Sequence, residues 1–262
     1  MSPKTVTIAI AGKGGTGKTT IAALLASIFS QKGVVLAIDG DPSTNLHLSL
    51  GLSLENTVGA VREDMLRQAR GGGPSLGMAK LDYLDLKIHE CLVESTGIDL
   101  LAMGRPEGPG CYCAANNMLR TCIDRLASNY DYVVIDTEAG MEHISRQTTR
   151  DVDILLLISD PTLRGVISAV RMKELIGELR TRVGRIALVI NRQDGELSPE
   201  VLGVIRDRGL ELVGSLPNDP HMAGLEARGR PLTELPQDSP LRVGVLAIAR
   251  RLGLVEAESK VS

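Results

Sequence analysis

The chain of 262 residues has little of three features that mark other protein classes. It has four cysteines, two of them in one tripeptide, which do not make a disulfide framework, so we expect a reducing cytoplasm. It has no long hydrophobic run: stretches such as residues 154-158 are strand-sized, and residues 1-5 are too short for a signal peptide. It has no excess of basic charge, since a net charge of -3 and a pI near 5.9 argue against a surface built for nucleic acid.

Short β-branched runs alternate with longer helical patterns along the chain. The candidate strands are mostly continuous apolar runs, typical of strands buried on both faces: residues 5-11, 34-39, 100-103, 132-136, 154-159, 186-191 and 212-216. The helical patterns include residues 19-32, 115-128, 163-183 and 199-208. This alternation predicts an α/β fold with a doubly wound, mostly parallel sheet flanked by helices, in a single domain over residues 1-255.

Two segments do not fit the alternation. A polar insertion lies near residues 57-97, and its fold is not predicted by the pattern. Within it, residues 71-77 hold Gly-Gly-Gly-Pro, which predicts a flexible surface segment. Residues 256-262 are charged and polar, so we expect this tail to fray.

The run GKGGTGKTT, residues 12-20, has the spacing of a phosphate-binding loop between a predicted strand and a predicted helix. Its glycines let the backbone curl, so that N–H groups and the positive end of the helix converge on a phosphate. Lys18 then reaches the β and γ phosphates, and the hydroxyl of Thr19 can ligate Mg²⁺. The residues expected to bind ATP or ADP here are Gly12, Lys13, Gly14, Gly15, Thr16, Gly17, Lys18, Thr19 and Thr20.

Acidic residues follow two of the predicted strands. Asp39 and Asp41 end one strand, and Asp136 ends another. An aspartate in such a place could merely cap a following helix. Two of them in a sheet that also carries a phosphate loop indicate hydrolysis, because phosphoryl transfer to water needs a metal and a group that holds the attacking water.

An extra lysine, Lys13, lies on the rim of the phosphate loop, where a solvated surface lysine is the ordinary alternative to a functional one. With it the loop resembles the deviant loop of the MinD, ParA and nitrogenase iron-protein superfamily, in which this lysine crosses a dimer interface to the partner's nucleotide. The resemblance implies a homodimer held by ATP and catalytic roles for Lys13, Lys18 and Asp41. Asp41 would position the water, Asp136 would hold Mg²⁺ through water, and Asp39 would support the geometry.

Asparagine and proline follow the last two predicted strands. Loop chemistry alone would explain Asn191 and the turn at Pro217. The resemblance implies instead that these two residues hold the adenine base. The side-chain amide of Asn191 can both donate and accept a hydrogen bond, which matches the donor and acceptor groups on the edge of adenine.

A Gly/Pro-rich loop, residues 104-117, carries Cys111 and Cys113 on either side of one tyrosine. Two buried small residues would explain the pair as well as metal binding does. The prolines and glycines of the loop are suited to presenting two thiolates in a fixed geometry, and two copies related by a two-fold axis would supply four. Such a set suits zinc, Ni(II) or an iron–sulfur cluster. Cys91 and Cys122 are isolated and are interpreted as packing residues.

Together with DTEAGMEHISRQT, residues 136-148, the cysteine loop makes the chain similar to the CooC-type maturation ATPases of carbon monoxide dehydrogenase. The resemblance implies that Cys111 and Cys113 bind Ni²⁺ (or Zn²⁺) at a dimer interface, and that ATP turnover delivers nickel to the apo-enzyme of carbon monoxide dehydrogenase. The alternatives are an ATPase serving acetyl-CoA synthase, an iron–sulfur electron-transfer ATPase and a MinD- or ParA-like positioning ATPase. We expect no membrane or nucleic-acid partner, because an acidic tail is repelled by an anionic surface.

Overall fold

The computed structural model describes residues 4-71, 80-105, 113-138, 151-178 and 182-256, which form an eight-stranded sheet. The strands are β1 (Val6–Gly12), β2 (Val35–Asp39), β3 (Leu92–Val93), β4 (Ile98–Ala102), β5 (Tyr132–Asp136), β6 (Asp151–Ser159), β7 (Arg182–Ile190) and β8 (Leu212–Ser215). Their order across the sheet is β3-β4-β2-β5-β1-β6-β7-β8. Every pairing is parallel except that of β3 with β4, so the predicted mostly parallel sheet is confirmed.

Helices cover both faces of the sheet. They are α1 (Lys18–Phe29), α2 (Leu46–Leu50), α3 (Val58–Gly71), α4 (Lys80–His89), α5 (Cys113–Ala127), α6 (Leu163–Glu178), α7 (Pro199–Asp207), α8 (Pro220–Ala227) and α9 (Pro240–Arg251). Alternate residues of each central strand point to opposite faces. Ile8 and Ile10 of β1 pack in one core with α1 and α9, whereas Ala9 and Ala11 pack in a second core with α4 to α7. None of the helices in the described ranges is long and apolar enough to span a membrane.

The strand register gathers the strand ends at one edge. Asp136 of β5 is paired with Ile10 of β1 on one side and with Asp39 of β2 on the other. Gly12, at the end of β1, is paired with Ile158 of β6. The loops that follow these strands therefore leave from the carboxyl edge, where open α/β sheets bind their ligands.

One predicted boundary is wrong. The helical pattern was expected to continue through Val183, but α6 ends at Glu178 and β7 begins at Arg182. Val183 pairs with Val152 of β6, so pairing with a long neighbouring strand overrides the local helical periodicity. The remaining predicted strands and helices are present with ends shifted by a few residues.

The polar insertion near residues 57-97 is built mainly of helices. It contains α3, α4 and the short strand β3, which the sequence pattern did not reveal. Gly71 ends α3, and the rest of the glycine-rich segment lies outside the described residues. The same holds for the predicted frayed tail beyond Glu256.

The chain has one phenylalanine and no tryptophan, and Phe29 is fully buried. Phe29 ends α1, and its ring stacks on Tyr132 at the start of β5, with ring centroids 4.7 Å apart and an interplanar angle of 11°. Such a pair contributes beyond the apolar area that it buries. The stack therefore fixes the far end of α1 to the central strand.

Replacing this ring tests the contact. Phe29→Ala should lower the free energy of unfolding by about 3 to 5 kcal/mol, because it removes the stack and leaves a cavity. Phe29→Leu keeps most of the volume and should cost less than about half as much. Urea unfolding followed by far-UV circular dichroism measures both, and equal losses in the two variants would contradict the expected role of the volume.

Candidate functional site

The phosphate loop, residues 12-18, connects β1 to α1 and needs glycine at both ends. A Cβ at Gly12 would lie 2.3 Å from the carbonyl oxygen of Ile158. Gly17 has φ 90° and immediately precedes α1, and a Cβ there would lie 2.4 Å from Nδ2 of Asn191. The loop therefore leads directly into the first turn of α1, whose free backbone N–H groups can bind a phosphate.

Two adjacent cavities bring most of the predicted nucleotide residues together, whereas Gly12, Lys13 and Thr16 are not among the residues that line them. The loop cavity, of about 380 Å³, is lined by Gly14, Gly15, Lys18, Thr19, Asp41 and Glu138, among others. The turn cavity, of about 360 Å³, is lined by Thr20, Asn191, Asp194, Pro217, Asn218 and Asp219, among others. Both cavities also contact Gly17 and Arg192. They are therefore neighbouring parts of one site at the carboxyl edge of the sheet.

Lys18 is folded back onto the phosphate loop. Its ammonium contacts the carbonyl oxygen of Lys13 at 3.4 Å, and the same oxygen accepts a hydrogen bond of 2.8 Å from the hydroxyl of Thr16. Lys18 is buried, whereas Lys13 is exposed on the rim. The two lysines thus differ in environment: one faces the loop, and the other is accessible to a second molecule.

Asp136 is hydrogen-bonded to Thr19, which lines the loop cavity. The Thr19 hydroxyl donates to Oδ2 of Asp136 at 2.6 Å, while Oδ1 of Asp136 is buried without a hydrogen-bond partner. Burial raises the pKa of Asp136 to about 7, although the bond from Thr19 opposes the rise. An unpartnered carboxylate oxygen beside a hydroxyl is a donor set that suits Mg²⁺, which takes oxygen ligands. The residues present therefore fit the predicted metal.

Asp39 and Asp41 have different surroundings although they are two residues apart. Asp39 is fully buried, and its oxygens accept from the backbone N–H groups of Asp41 (3.1 Å) and Leu46 (2.9 Å); burial raises its pKa. Asp41 lines the loop cavity, and its Oδ1 accepts from the N–H (2.9 Å) and hydroxyl (2.5 Å) of Ser43. Asp39 thus shapes the loop, while the bonds that hold the carboxylate of Asp41 within the described ranges are local and exposed.

Asn191 ties the turn cavity to the phosphate loop. Its Nδ2 donates to the carbonyl oxygen of Thr16 at 2.8 Å, and the residue is only 6% exposed. Pro217 lies in the same cavity, so the two residues predicted to hold a base are brought together. The next residue, Arg192, lines both cavities and has φ 57°, a conformation uncommon outside glycine. Sequence reasoning missed Arg192, and its place directly after Asn191 was the available signal.

Asp219 was also missed, although it fixes the turn that contains Pro217. Its Oδ1 accepts from the N–H of His221 at 2.8 Å, at the start of α8. Its Oδ2 accepts from the N–H of Leu241 (3.1 Å) and from the hydroxyl of Ser239 (2.5 Å), at the start of α9. Burial alone would raise the pKa of Asp219, but these bonds outweigh it and lower the pKa. One carboxylate thus caps two helices.

Much of the cysteine loop, residues 104-117, lies outside the described residues. Cys111 lies outside the described residues, and of Cys113 only the backbone at the start of α5 is described. Cys91 and Cys122 are buried, and burial raises the pKa of their thiols to about 11 and about 12. In the described ranges, no group of three or more His, Cys, Asp and Glu side chains could hold a metal ion.

Residues 7-232 match the family model of the CobQ/CobB/MinD/ParA nucleotide binding domain. The chain belongs to this family. It is 44% identical over 246 residues to an uncharacterized ATP-binding protein of Methanocaldococcus jannaschii, covering 94% of this chain and 97% of the relative. It is 32% identical over 234 residues to the carbon monoxide dehydrogenase accessory protein CooC of Rhodospirillum rubrum, covering 85% of this chain and 87% of that protein.

A solved structure of a Cyanothece McdA variant with ATP has the same fold. Its TM-score is 0.73 at 23% identity, covering 98% of this chain and 100% of that chain. The members of the CobQ/CobB/MinD/ParA family are P-loop proteins that bind nucleotide, and MinD, ParA and CooC proteins generally dimerise. This chain therefore belongs to a family of nucleotide-binding P-loop proteins.

Removing the buried charge at Asp136 should stabilise the protein when nucleotide and Mg²⁺ are absent. The carboxyl pKa rises from 3.8 to about 7 on folding, so the folded state binds the proton more tightly and stability falls as pH rises from 4 to 7. The charge penalty is fully present above pH 7. Asp136→Asn avoids it and should gain about 1 to 3 kcal/mol at pH 8.

Urea unfolding in EDTA at pH 5 and pH 8 measures this gain. The difference between Asp136→Asn and the native chain should be clearly smaller at pH 5 than at pH 8, because at pH 5 only the part of the penalty that develops above pH 3.8 is present. The exposed Asp207 supplies the control, and Asp207→Asn should leave stability unchanged at both pH values. A gain of the same size at both pH values would show that ionisation of Asp136 is not its cause.

Proposed function

We propose that this chain is a Mg²⁺-dependent ATPase that dimerises with nucleotide and delivers nickel to the apo-enzyme of carbon monoxide dehydrogenase. One observation carries the proposal: the Cys111-Tyr-Cys113 sequence occurs in a chain that is 32% identical to CooC over 85% of its length. The same fold supports several activities, and the Cys-x-Cys pair is the feature that favours metal delivery over the others.

The nucleotide would lie across both cavities. The phosphates would occupy the loop cavity, on the N–H groups at the start of α1 and the ammonium of Lys18, and the base would occupy the turn cavity beside Asn191 and Pro217. Thr19 and Asp136 would hold Mg²⁺, which supplies positive charge that neutralises the phosphates. The carboxylate of Asp41 would leave Ser43 and hold the attacking water.

The segment that follows Asp41 and the segment that leads to the cysteines share a third cavity. This rim cavity, of about 270 Å³, is lined by Pro42, Thr44, Thr57, Glu63, Gly104 and Arg105, among others. The end of β4 is bonded to both sides of it: Met103 donates its N–H to Asp39, and its carbonyl oxygen accepts from Gly59, each at 2.8 Å. Movement of the Asp41 segment would therefore act on the chain leading to Cys111. Nucleotide state and metal affinity would be coupled reciprocally.

Lys13 is exposed, which suits a contact with the partner's nucleotide. Lys13→Ala should abolish the dimer formed with ATP and Mg²⁺ and lower ATP hydrolysis by at least about tenfold, because the partner's phosphates lose a positive charge. Light scattering after gel filtration measures the mass. The exposed Lys32→Ala is the matched control and should still dimerise. A dimer of undiminished stability in Lys13→Ala would remove Lys13 from the interface.

Metal content tests the delivery function directly. The native chain, incubated anaerobically with Ni²⁺ or Zn²⁺ in the presence of ADP or ATP, should bind one metal ion per dimer. Cys111→Ser/Cys113→Ser should lose that metal and keep ATP hydrolysis, because four thiolates from two chains are the expected ligands. The buried, protonated Cys91 and Cys122 supply controls, and Cys91→Ala and Cys122→Ala should each retain the metal.

Three outcomes of that experiment would count against nickel delivery. No stoichiometric metal in the native chain would leave a dimerising ATPase without cargo. A brown, oxygen-sensitive preparation would indicate an iron–sulfur cluster and electron transfer. A metal affinity that is identical with ATP, with ADP and without nucleotide would rule out the coupling.

A positioning ATPase of the MinD or ParA kind is the second candidate. Membership of the CobQ/CobB/MinD/ParA family supports it as well as it supports metal delivery. A positioning ATPase would bind anionic liposomes or DNA when ATP is present, and co-sedimentation would detect this. Binding in either assay, together with the absence of stoichiometric metal, would favour positioning.

A further inference from the structure

The turn cavity contains two carboxylates with different bonding capacity. An ionised carboxylate has about four lone-pair sites. Asp219 uses three of them on the N–H groups of His221 and Leu241 and the hydroxyl of Ser239, and Nδ1 of His221 lies 3.2 Å from its Oδ1. Asp219 is also only 6% exposed. It therefore shapes the turn and is shielded from a ligand.

Asp194 keeps free acceptors in the same cavity. Its Oδ1 accepts from the backbone N–H of Asn218 at 3.1 Å, and its Oδ2 accepts from Nδ2 of Asn218 at 2.6 Å. One lone pair on each oxygen remains, and the residue is exposed. The bonds from Asn218 also lower the pKa of Asp194, so it is ionised at neutral pH and acts only as an acceptor. Two adjacent anionic acceptors therefore line the cavity.

The loop that carries Asp194 is held in place from both sides. At its start, Asn191 donates to the carbonyl oxygen of Thr16 in the phosphate loop. In its middle, Gln193 donates its N–H to the carbonyl oxygen of Leu216 at 2.9 Å, next to Pro217. Asp194 thus has a fixed position relative to the phosphate loop and to the turn that contains Pro217, which a residue that selects among bases requires.

The purine bases differ in what they offer to such a pair of oxygens. The Watson–Crick edge of guanine has two adjacent donors, N1–H and the N2 amino group, which match a carboxylate in a bidentate arrangement. Adenine has one donor, its N6 amino group, beside the acceptor N1, so only one oxygen is satisfied. Xanthine has a carbonyl where guanine has the N2 amino group, which repels a carboxylate and suits an amide.

We propose that Asp194 reads the edge of the nucleotide base, so that the turn cavity accepts guanine nucleotides as well as adenine nucleotides. This inference rests on the proposed function in that the base lies in the turn cavity. It extends the substrate class to purine nucleoside triphosphates. GTP would then be a second substrate of the same site, bound through two charge-assisted hydrogen bonds that ATP cannot make.

Competition binding with ATP, GTP and XTP in the presence of Mg²⁺ tests the inference. The native chain should bind GTP within about tenfold of ATP and XTP at least about a hundredfold more weakly than GTP, since a mismatched hydrogen-bond edge is strongly rejected. Asp194→Asn should reverse the order of GTP and XTP, because its amide donates to the xanthine carbonyl. GTP binding more than about a hundredfold weaker than ATP in the native chain would overturn the inference.

Asn218→Ala separates base reading from a merely structural role. It removes the Nδ2 hydrogen bond to Oδ2 of Asp194 and keeps the backbone N–H bond to Oδ1 and the carboxylate, so the preference for GTP over XTP should persist. If Asp194 only holds the turn, both variants weaken all three nucleotides alike and neither reverses the preference. ATP binding without GTP binding would refute this inference alone. Absence of stoichiometric metal would refute nickel delivery and leave base reading intact.

Discussion

The parallel pairing of β5 between β1 and β2 is the constraint on which the site depends. These three strands come from distant parts of the chain, yet their register aligns Ile10, Asp136 and Asp39 across one row of the sheet. That row brings a buried carboxylate within 2.6 Å of the Thr19 hydroxyl in the first turn of α1. The position of the Asp136 carboxylate beside the start of α1 is therefore a consequence of a single register.

The site combines contacts of two strengths. Asp219 makes buried hydrogen bonds that hold the turn containing Pro217, and Asn191 makes one that holds the phosphate loop. Asp41 is held by exposed bonds from Ser43, two residues away, and water can replace Ser43 as the donor at little cost. A rigid frame around one replaceable contact is what a nucleotide-driven switch needs, since the frame transmits the movement of the segment that is released.

The sequence was informative wherever a local pattern decides the structure. Continuous apolar runs predicted the central strands because they are buried on both faces, and glycine spacing predicted the phosphate loop. The end of α6 was missed because pairing with β6 decides where β7 begins. The contacts of Asp219 and Asp194 were missed because their partners lie 22 and 24 residues away. Asp194 meets Asn218 only after β8 pairs with β7 through an irregular register, and Asp219 meets Leu241 only when α9 packs beside the turn. Such contacts have no signature in local sequence.

The strand order also has a consequence for synthesis on the ribosome. The phosphate loop is made first, but β1 finds its sheet neighbours only when β5 and β6 have been made, more than a hundred residues later. Until then the apolar faces of β1 and α1 lack their partners, so the nascent chain must stay unassembled or be shielded by a chaperone. The sheet edge that carries the phosphate loop can thus be completed only after more than half of the polypeptide has been made.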